Sequence, residues 1–228
     1  MPHSDTRLAL LFDLDGTLID SIGLLLACMH DAFADRPRRP SDTEWTAGIG
    51  TPLREQLAPW CHGPDDVEQL VARYRDYQDR HLEGTTAPYP GVRDTLHWAR
   101  SQGHALGLVT SKGRGMTTRS LRHLDIADWF DTVVTVEDTA RHKPHPDPVR
   151  HALAQLAIPH TRALFVGDSP HDMHAGRAAG VLTAAAQWGP FSREQLAPAT
   201  PTYWLTSMSQ LPDTVAHMRR DTPTTTHA

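Results

Sequence analysis

The stretch LALLFDLDGTLID, residues 8–20, decides how the rest of the chain is read. Leu8 to Phe12 form a short apolar run without helical spacing, the pattern of a strand buried on both faces. Asp13 and Asp15 follow, with Gly16 supplying turn chemistry and Thr17 directly behind it. Two carboxylates held that close raise each other's pKa, and the arrangement costs stability unless a cation or a reaction uses them. Turn formation alone is the plain alternative, because Asp-Gly is a common turn pair.

Downstream of this strand the pattern changes. Ile22 to Ala34 carry apolar residues at helical spacing, and DRPRRPSD then breaks the chain, with Ser41 or Asp42 placed to cap the next helix. A further helix starts at Pro52, and PDDVEQLVARYRDYQDRHL is a long amphipathic one with acidic residues in its first turn. No strand pattern is visible between Asp20 and Thr86, so this block reads as all helical. From APYPGV onward strands alternate with helices. ALGLVT, TVVTV, ALFVG and VLTAAAQ are the strands, separated by helical patterns over 92–102, 117–124, 147–156 and 171–179. Such alternation predicts an α/β fold, a doubly wound parallel sheet with helices on both faces. The polar end of the chain, TPTTTHA, has no periodicity, and the chain beyond about residue 218 is expected to be disordered.

In an open parallel sheet ligands bind beyond the carboxyl ends of the strands. Those ends deliver Asp13 and Asp15, Thr110 and Ser111, and Asp168, while Lys143 lies between the strand TVVTV and the helix that follows it. Carboxylates from separate strands suit Mg²⁺, and a hydroxyl, backbone N–H groups and an ammonium suit a phosphoryl group. With 39 % hydrophobic and 21 % charged residues and a net charge of −5, the composition is that of a globular domain and argues against non-specific nucleic-acid or membrane attraction. Cys28 and Cys61 have no metal-ligand spacing and are expected as reduced thiols of a cytoplasmic protein. Fifteen histidines are present, and His171 and His174 are expected as exposed residues rather than as a zinc site.

DLDGT, VTSK, HKPHPDP and VGDSPHD, in that order, resemble the four motifs of the haloacid dehalogenase superfamily. FDTVVTVEDT and GDSPHDMHAGRAAG are most similar to its phosphoglycolate phosphatase and pyrophosphatase branch. The resemblance implies a Rossmann-like core over 1–19 and 87–228 with a helical cap inserted over 20–86. It implies Asp13 as nucleophile, Asp15 as general acid and base, and Lys143 and Thr110 as further catalytic groups. Phosphate would be bound by Thr110, Ser111, Lys143, Gly16 and Thr17, with Thr17 orienting Asp15 and Arg54 of the cap touching the substrate. Mg²⁺ would be held by the Asp13 side chain, the Asp15 backbone carbonyl and Asp168, with Asp172 as a further ligand or as support for one.

The implied activity is Mg²⁺-dependent hydrolysis of a small phosphorylated metabolite through an aspartyl-phosphate, by default a phosphoglycolate-like phosphomonoester. Inorganic pyrophosphate is the alternative, and a phosphosugar mutase or a non-catalytic phospho-acceptor or binding protein ranks lower. Related dehalogenases and phosphonoacetaldehyde hydrolases lack the second aspartate, so Asp15 argues against both. Receiver modules are shorter and lack the DxDGT pair. A monomer or homodimer is expected.

Overall fold

The computed structural model describes residues 7–221. The central sheet has six parallel strands in the order β5-β4-β1-β6-β7-β8. They are β1 (Ala9–Phe12), β4 (Ala105–Val109), β5 (Thr132–Val134), β6 (Ala163–Gly167), β7 (Leu182–Ala186) and β8 (Tyr203–Leu205). From β1 the chain winds outward through β4 and β5, then returns to β6 on the other side of β1. The strand order therefore reverses beside β1, where an open sheet forms its crevice.

β1 is central because every side chain in it is apolar and fully buried. Alternate residues serve opposite layers. Leu10 and Phe12 pack in the cluster that includes Val92, Leu96, Leu211 and Val215, from α5 (Val92–Ser101) and α10 (Leu211–Asp221). Ala9 and Leu11 pack with Val149, Leu153 and Ala175, from α7 (Asp147–Leu156) and α8 (Pro170–Ala179).

Between β2 (Ile19–Asp20) and β3 (Ala87–Pro88), which pair antiparallel, the chain makes a helical excursion. It contains α1 (Ile22–Ala32), α2 (Asp42–Ala47), α3 (Leu53–Leu57) and α4 (Pro64–Thr85). Ser41, not Asp42, caps α2 through a reciprocal pair with Glu44. The excursion buries a core of its own, in which Cys28, Met29, Phe33 and Trp45 of the first half meet Leu70, Val71, Tyr74 and Leu82 of α4. Cys28 and Cys61 are free. Burial raises the Cys28 thiol to about 12, so it is an inert core residue.

Several expectations are corrected. The helix expected from Thr117 is α6 (Arg114–His123), which starts one turn earlier. β8, α9 (Arg193–Leu196) and α10 lie in a region where no element is predicted. α10 also runs to Asp221, through residues expected to be disordered, and TPTTTHA lies outside the described residues. No helix among the described residues is long and apolar enough to cross a membrane.

His104 sits at the buried entrance to β4, where its Nδ1 accepts the Leu8 N–H at 3.2 Å. Burial and then the Arg219 guanidinium push its pKa from 6.5 down to about 4. The ring is neutral in both states above pH 6.5. Between 6.5 and 4 the unfolded chain takes up a proton that the folded chain refuses, so stability falls as the pH is lowered through that window. Thermal melts of His104→Asn, which keeps an acceptor for Leu8, are expected to lose that part of the pH dependence relative to wild type.

Candidate active site

The mouths of β1, β4 and β6 converge with the loop that precedes α7. Lys143 arrives from that loop and is essentially inaccessible. Its Nζ donates to Asp13 Oδ1 and to Asp172 Oδ1, both at 2.7 Å, and lies 6.0 Å from the centre of the Phe165 ring. Burial lowers the Lys143 pKa, but the Asp13 and Asp172 carboxylates more than offset this and hold the ammonium charged. Asp13 shows the opposing balance. Burial raises it to about 7 despite Lys143, and the Asp172 charge adds to the rise.

Asp168 follows β6, and its Oδ1 accepts the Thr17 hydroxyl at 2.6 Å. Thr17 thus orients Asp168 rather than Asp15, because the turn at Gly16 carries it back toward β6. Asp172 is held in the first turn of α8. Its Oδ2 accepts both the N–H of Ser169 at 3.0 Å and the Ser169 hydroxyl at 2.6 Å. The helix cap is therefore Ser169, and Asp168 is left for other work.

Asp13, Asp168 and Asp172 each place a carboxylate oxygen within 4.8 Å of the others'. Asp168 Oδ2 is buried and has no hydrogen-bond partner. Burial, followed by the Asp172 and Asp13 charges, pushes the Asp168 pKa well above its ordinary value. Gly16, at φ +86°, and Gly189 leave this oxygen open space. A Cβ on Gly16 would lie 2.5 Å from it and one on Gly189 2.9 Å. An all-oxygen donor set around an unpartnered buried carboxylate fits a hard divalent cation. Asp172 has both oxygens engaged by Lys143 and Ser169, which puts it at the lysine more than at the cation.

Asp15 stands apart from that cluster. Its Oδ1 accepts the Ser21 hydroxyl and the Lys112 ammonium, each at 2.6 Å. Both donors use one oxygen, which leaves Oδ2 uncommitted among the described residues. Lys112 was not singled out from the sequence, although it closes the VTSK motif, because only the fold brings it across to β1. Thr110 Oγ1 accepts the Lys112 N–H at 3.1 Å and so keeps its own proton to donate. The Ser111 N–H is unpaired among the described residues, and its hydroxyl donates to the Gly50 carbonyl of the helical excursion at 2.6 Å.

Asp13, Asp15, Thr110, Ser111 and Lys112 open onto a cavity of about 630 Å³ between the sheet and the excursion. Arg54 lines it too, but its guanidinium is held by the Glu68 carboxylate at 2.5 and 2.7 Å. His171 is partly buried rather than exposed, and its ring lies against Gly50.

The same residues lie within 10–186, which match the haloacid dehalogenase-like hydrolase family. The chain belongs to that family. It is accordingly a hydrolase, of the phosphatase kind. Pyrophosphatase PpaX of Anoxybacillus flavithermus is 34 % identical over 203 residues, which cover 89 % of this chain and 94 % of that protein. Pyrophosphatase PpaX of Bacillus velezensis is 35 % identical over 204 residues, with 89 % and 94 % covered. Among solved structures, a hydrolase from Pseudomonas syringae superposes with a TM-score of 0.85 at 22 % identity, covering 92 % of this chain and 98 % of its own. A predicted phosphoglycolate phosphatase from Haemophilus somnus gives 0.82 at 22 % identity, with 93 % and 99 % covered. These structural likenesses establish the haloacid dehalogenase fold.

Removing the ammonium from this cluster leaves three buried carboxylates without their cation. Lys143→Met is expected to lower stability by about 3–5 kcal/mol in metal-free buffer, as breaking a buried pair does. Denaturant unfolding with EDTA present measures it, and added Mg²⁺ is expected to restore part of the loss.

Proposed function

We propose that the protein is a Mg²⁺-dependent phosphatase of a small phosphorylated metabolite, working through a phosphorylated Asp13. The observation that carries this reading is the state of Asp13. One of its oxygens is fixed by Lys143, the other has no hydrogen bond among the described residues, and the residue lines the cavity. A carboxylate oriented in this way is a nucleophile held ready. It attacks phosphorus, the ester bond breaks, and the leaving oxygen keeps the bonding electrons and takes a proton from Asp15. Asp15 then accepts a proton from the water that splits the aspartyl-phosphate, releasing phosphate and restoring Asp13.

Thr110 and the Ser111 N–H bind oxygens of the phosphoryl group, and Lys143 offsets the charge of the attacking carboxylate. Asp13, the Asp15 backbone carbonyl and Asp168 would hold Mg²⁺, which would neutralise charge between two anions as they approach. Lys112 and Ser21 keep Asp15 Oδ1 engaged, so that proton exchange falls to Oδ2. Asp172 and Thr17 act through Lys143 and Asp168. The 20–86 segment is proposed as the cap over this site, and a cytoplasmic location is proposed with it.

A phosphoglycolate-like phosphomonoester is the default substrate. Inorganic pyrophosphate is the second reading, favoured by the name of the relatives that are 33–35 % identical. Phosphate release from a panel of both classes tests the proposal. Asp13→Asn is expected to abolish release, EDTA to abolish it, and Mg²⁺ to restore it. Lys112→Met is expected to lower kcat by about 10²-fold, the scale of a positioned acid–base group. Release that persists in Asp13→Asn would exclude the aspartyl-phosphate route.

A further inference from the structure

The cavity is larger than its reacting end requires. Asp13, Asp15, Thr110 and Ser111 supply the phosphoryl end, and most of the remaining lining comes from the excursion. Leu25, Trp45, Ile49, Leu53 and Tyr74 line it together with Met116 of α6. Trp45, Ile49 and Tyr74 are at most 5 % exposed. This surface is thus one side of the excursion's own apolar core. A cavity of about 630 Å³ falls in the range that encloses a drug-sized organic molecule. An apolar lining favours hydrocarbon over a second hydrated anion.

The charges point the same way. Arg54 is committed to Glu68, Lys112 to Asp15, and the Asp79 carboxylate to Arg119 at 2.8 Å. Arg75 then faces the cavity without an ion pair among the described residues, alongside Glu55 and Glu137. Glu137 accepts only the backbone N–H of Arg114, at 3.0 and 3.2 Å. This lining carries no surplus of positive charge for the second phosphate of a diphosphate.

One group on the wall also lacks a partner. Trp45 Nε1 has no acceptor among the described residues, but it is buried with no surface open to the cavity and so offers a ligand no contact, and its ring packs against Tyr74 with centroids 5.7 Å apart.

We infer that the substrate is a phosphomonoester of an aromatic or otherwise apolar alcohol. This rests on the phosphatase reading of Asp13. Its hydrocarbon packs against Leu25, Ile49, Leu53 and Met116. Water is the co-reactant, and the products are the alcohol and phosphate.

The test compares kcat/KM for 4-acetylphenyl phosphate, phosphoglycolate and pyrophosphate on the full chain with Mg²⁺, in wild type, Met116→Gln and Leu53→Asn. The aryl ester is expected to be preferred by about tenfold or more, the scale set by a complementary apolar pocket. Aryl leaving groups are intrinsically better, so the preference counts only together with the variants. Each variant is expected to lower the aryl ester several-fold and to leave phosphoglycolate within about twofold, as a loss confined to leaving-group contacts requires. A parallel calorimetric titration with 4-acetylphenylphosphonate and methylphosphonate reads binding without turnover. The aryl ligand is expected to bind more tightly in wild type, with the difference lost in Leu53→Asn.

Equal or greater kcat/KM for pyrophosphate, or variants that lower all substrates alike, would overturn the inference while leaving the phosphatase standing. Release from no substrate would instead remove the phosphatase reading, and release that survives Asp13→Asn would remove its aspartyl-phosphate route. The phosphonate titration would then decide whether the cavity selects aryl groups, and equal binding of the two phosphonates would overturn the inference.

Discussion

The ammonium of Lys143, placed between Asp13 and Asp172, is the interaction on which the site depends. Three carboxylates from β1, β6 and the first turn of α8 meet in a volume from which water is excluded. Their mutual repulsion would push the strand mouths apart or protonate them if no cation stood among them. Lys143 supplies part of that cation from within the chain. The unpartnered Asp168 Oδ2 marks where the compensation is still incomplete. Structure and reactivity therefore have the same origin here: the crowding that makes the cluster costly is what makes Asp13 responsive to whatever charge arrives next.

The fold was legible in the sequence because its strands are short, apolar and separated by helical periodicity. The acidic pair at the end of β1 could be placed because an open sheet puts the ends of neighbouring strands together. Asp13, Asp15, Thr110, Ser111, Lys143, Asp168 and Asp172 all lie at or beside those ends, and the structure brings them together. What the sequence did not disclose was which side chain touches which. Thr17 was assigned to Asp15 by nearness in the chain, yet a left-handed residue at Gly16 turns it toward Asp168. Arg54 was assigned to the substrate, yet Glu68, fourteen residues away, holds it. Lys112 went unnoticed because its partner is ninety-seven residues distant. Strand β8 was missed because the three residues of YWL carry little periodic signal, whereas α10 buries Leu211, Val215 and Met218 at helical spacing and was readable from the sequence.

The two halves of the molecule contribute different physics to one cavity. The sheet supplies charge held in place by buried hydrogen bonds, a polar environment that needs little rearrangement as a phosphoryl group moves. The helical excursion supplies apolar side chains, with Arg54 paired to its own Glu68 and Arg75 left without an ion pair among the described residues. Their meeting is fastened at the loop around Gly50, whose carbonyl accepts the Ser111 hydroxyl directly beside the Ser111 N–H that faces no partner among the described residues. Position of the excursion and position of Ser111 are linked through that bond.

The excursion leaves and rejoins the sheet through β2 and β3, a ribbon of two residues on each side. Because the ends of some sixty-six intervening residues are brought side by side by that ribbon, the sheet is insensitive to what the loop between them contains. Loop-closure entropy grows only slowly with length, and the insert has its own core. Sequence change in the insert is therefore decoupled from the stability of the catalytic sheet. The ribbon acts as a socket: lineages can exchange or enlarge the unit plugged into it without re-optimising the chemistry beneath.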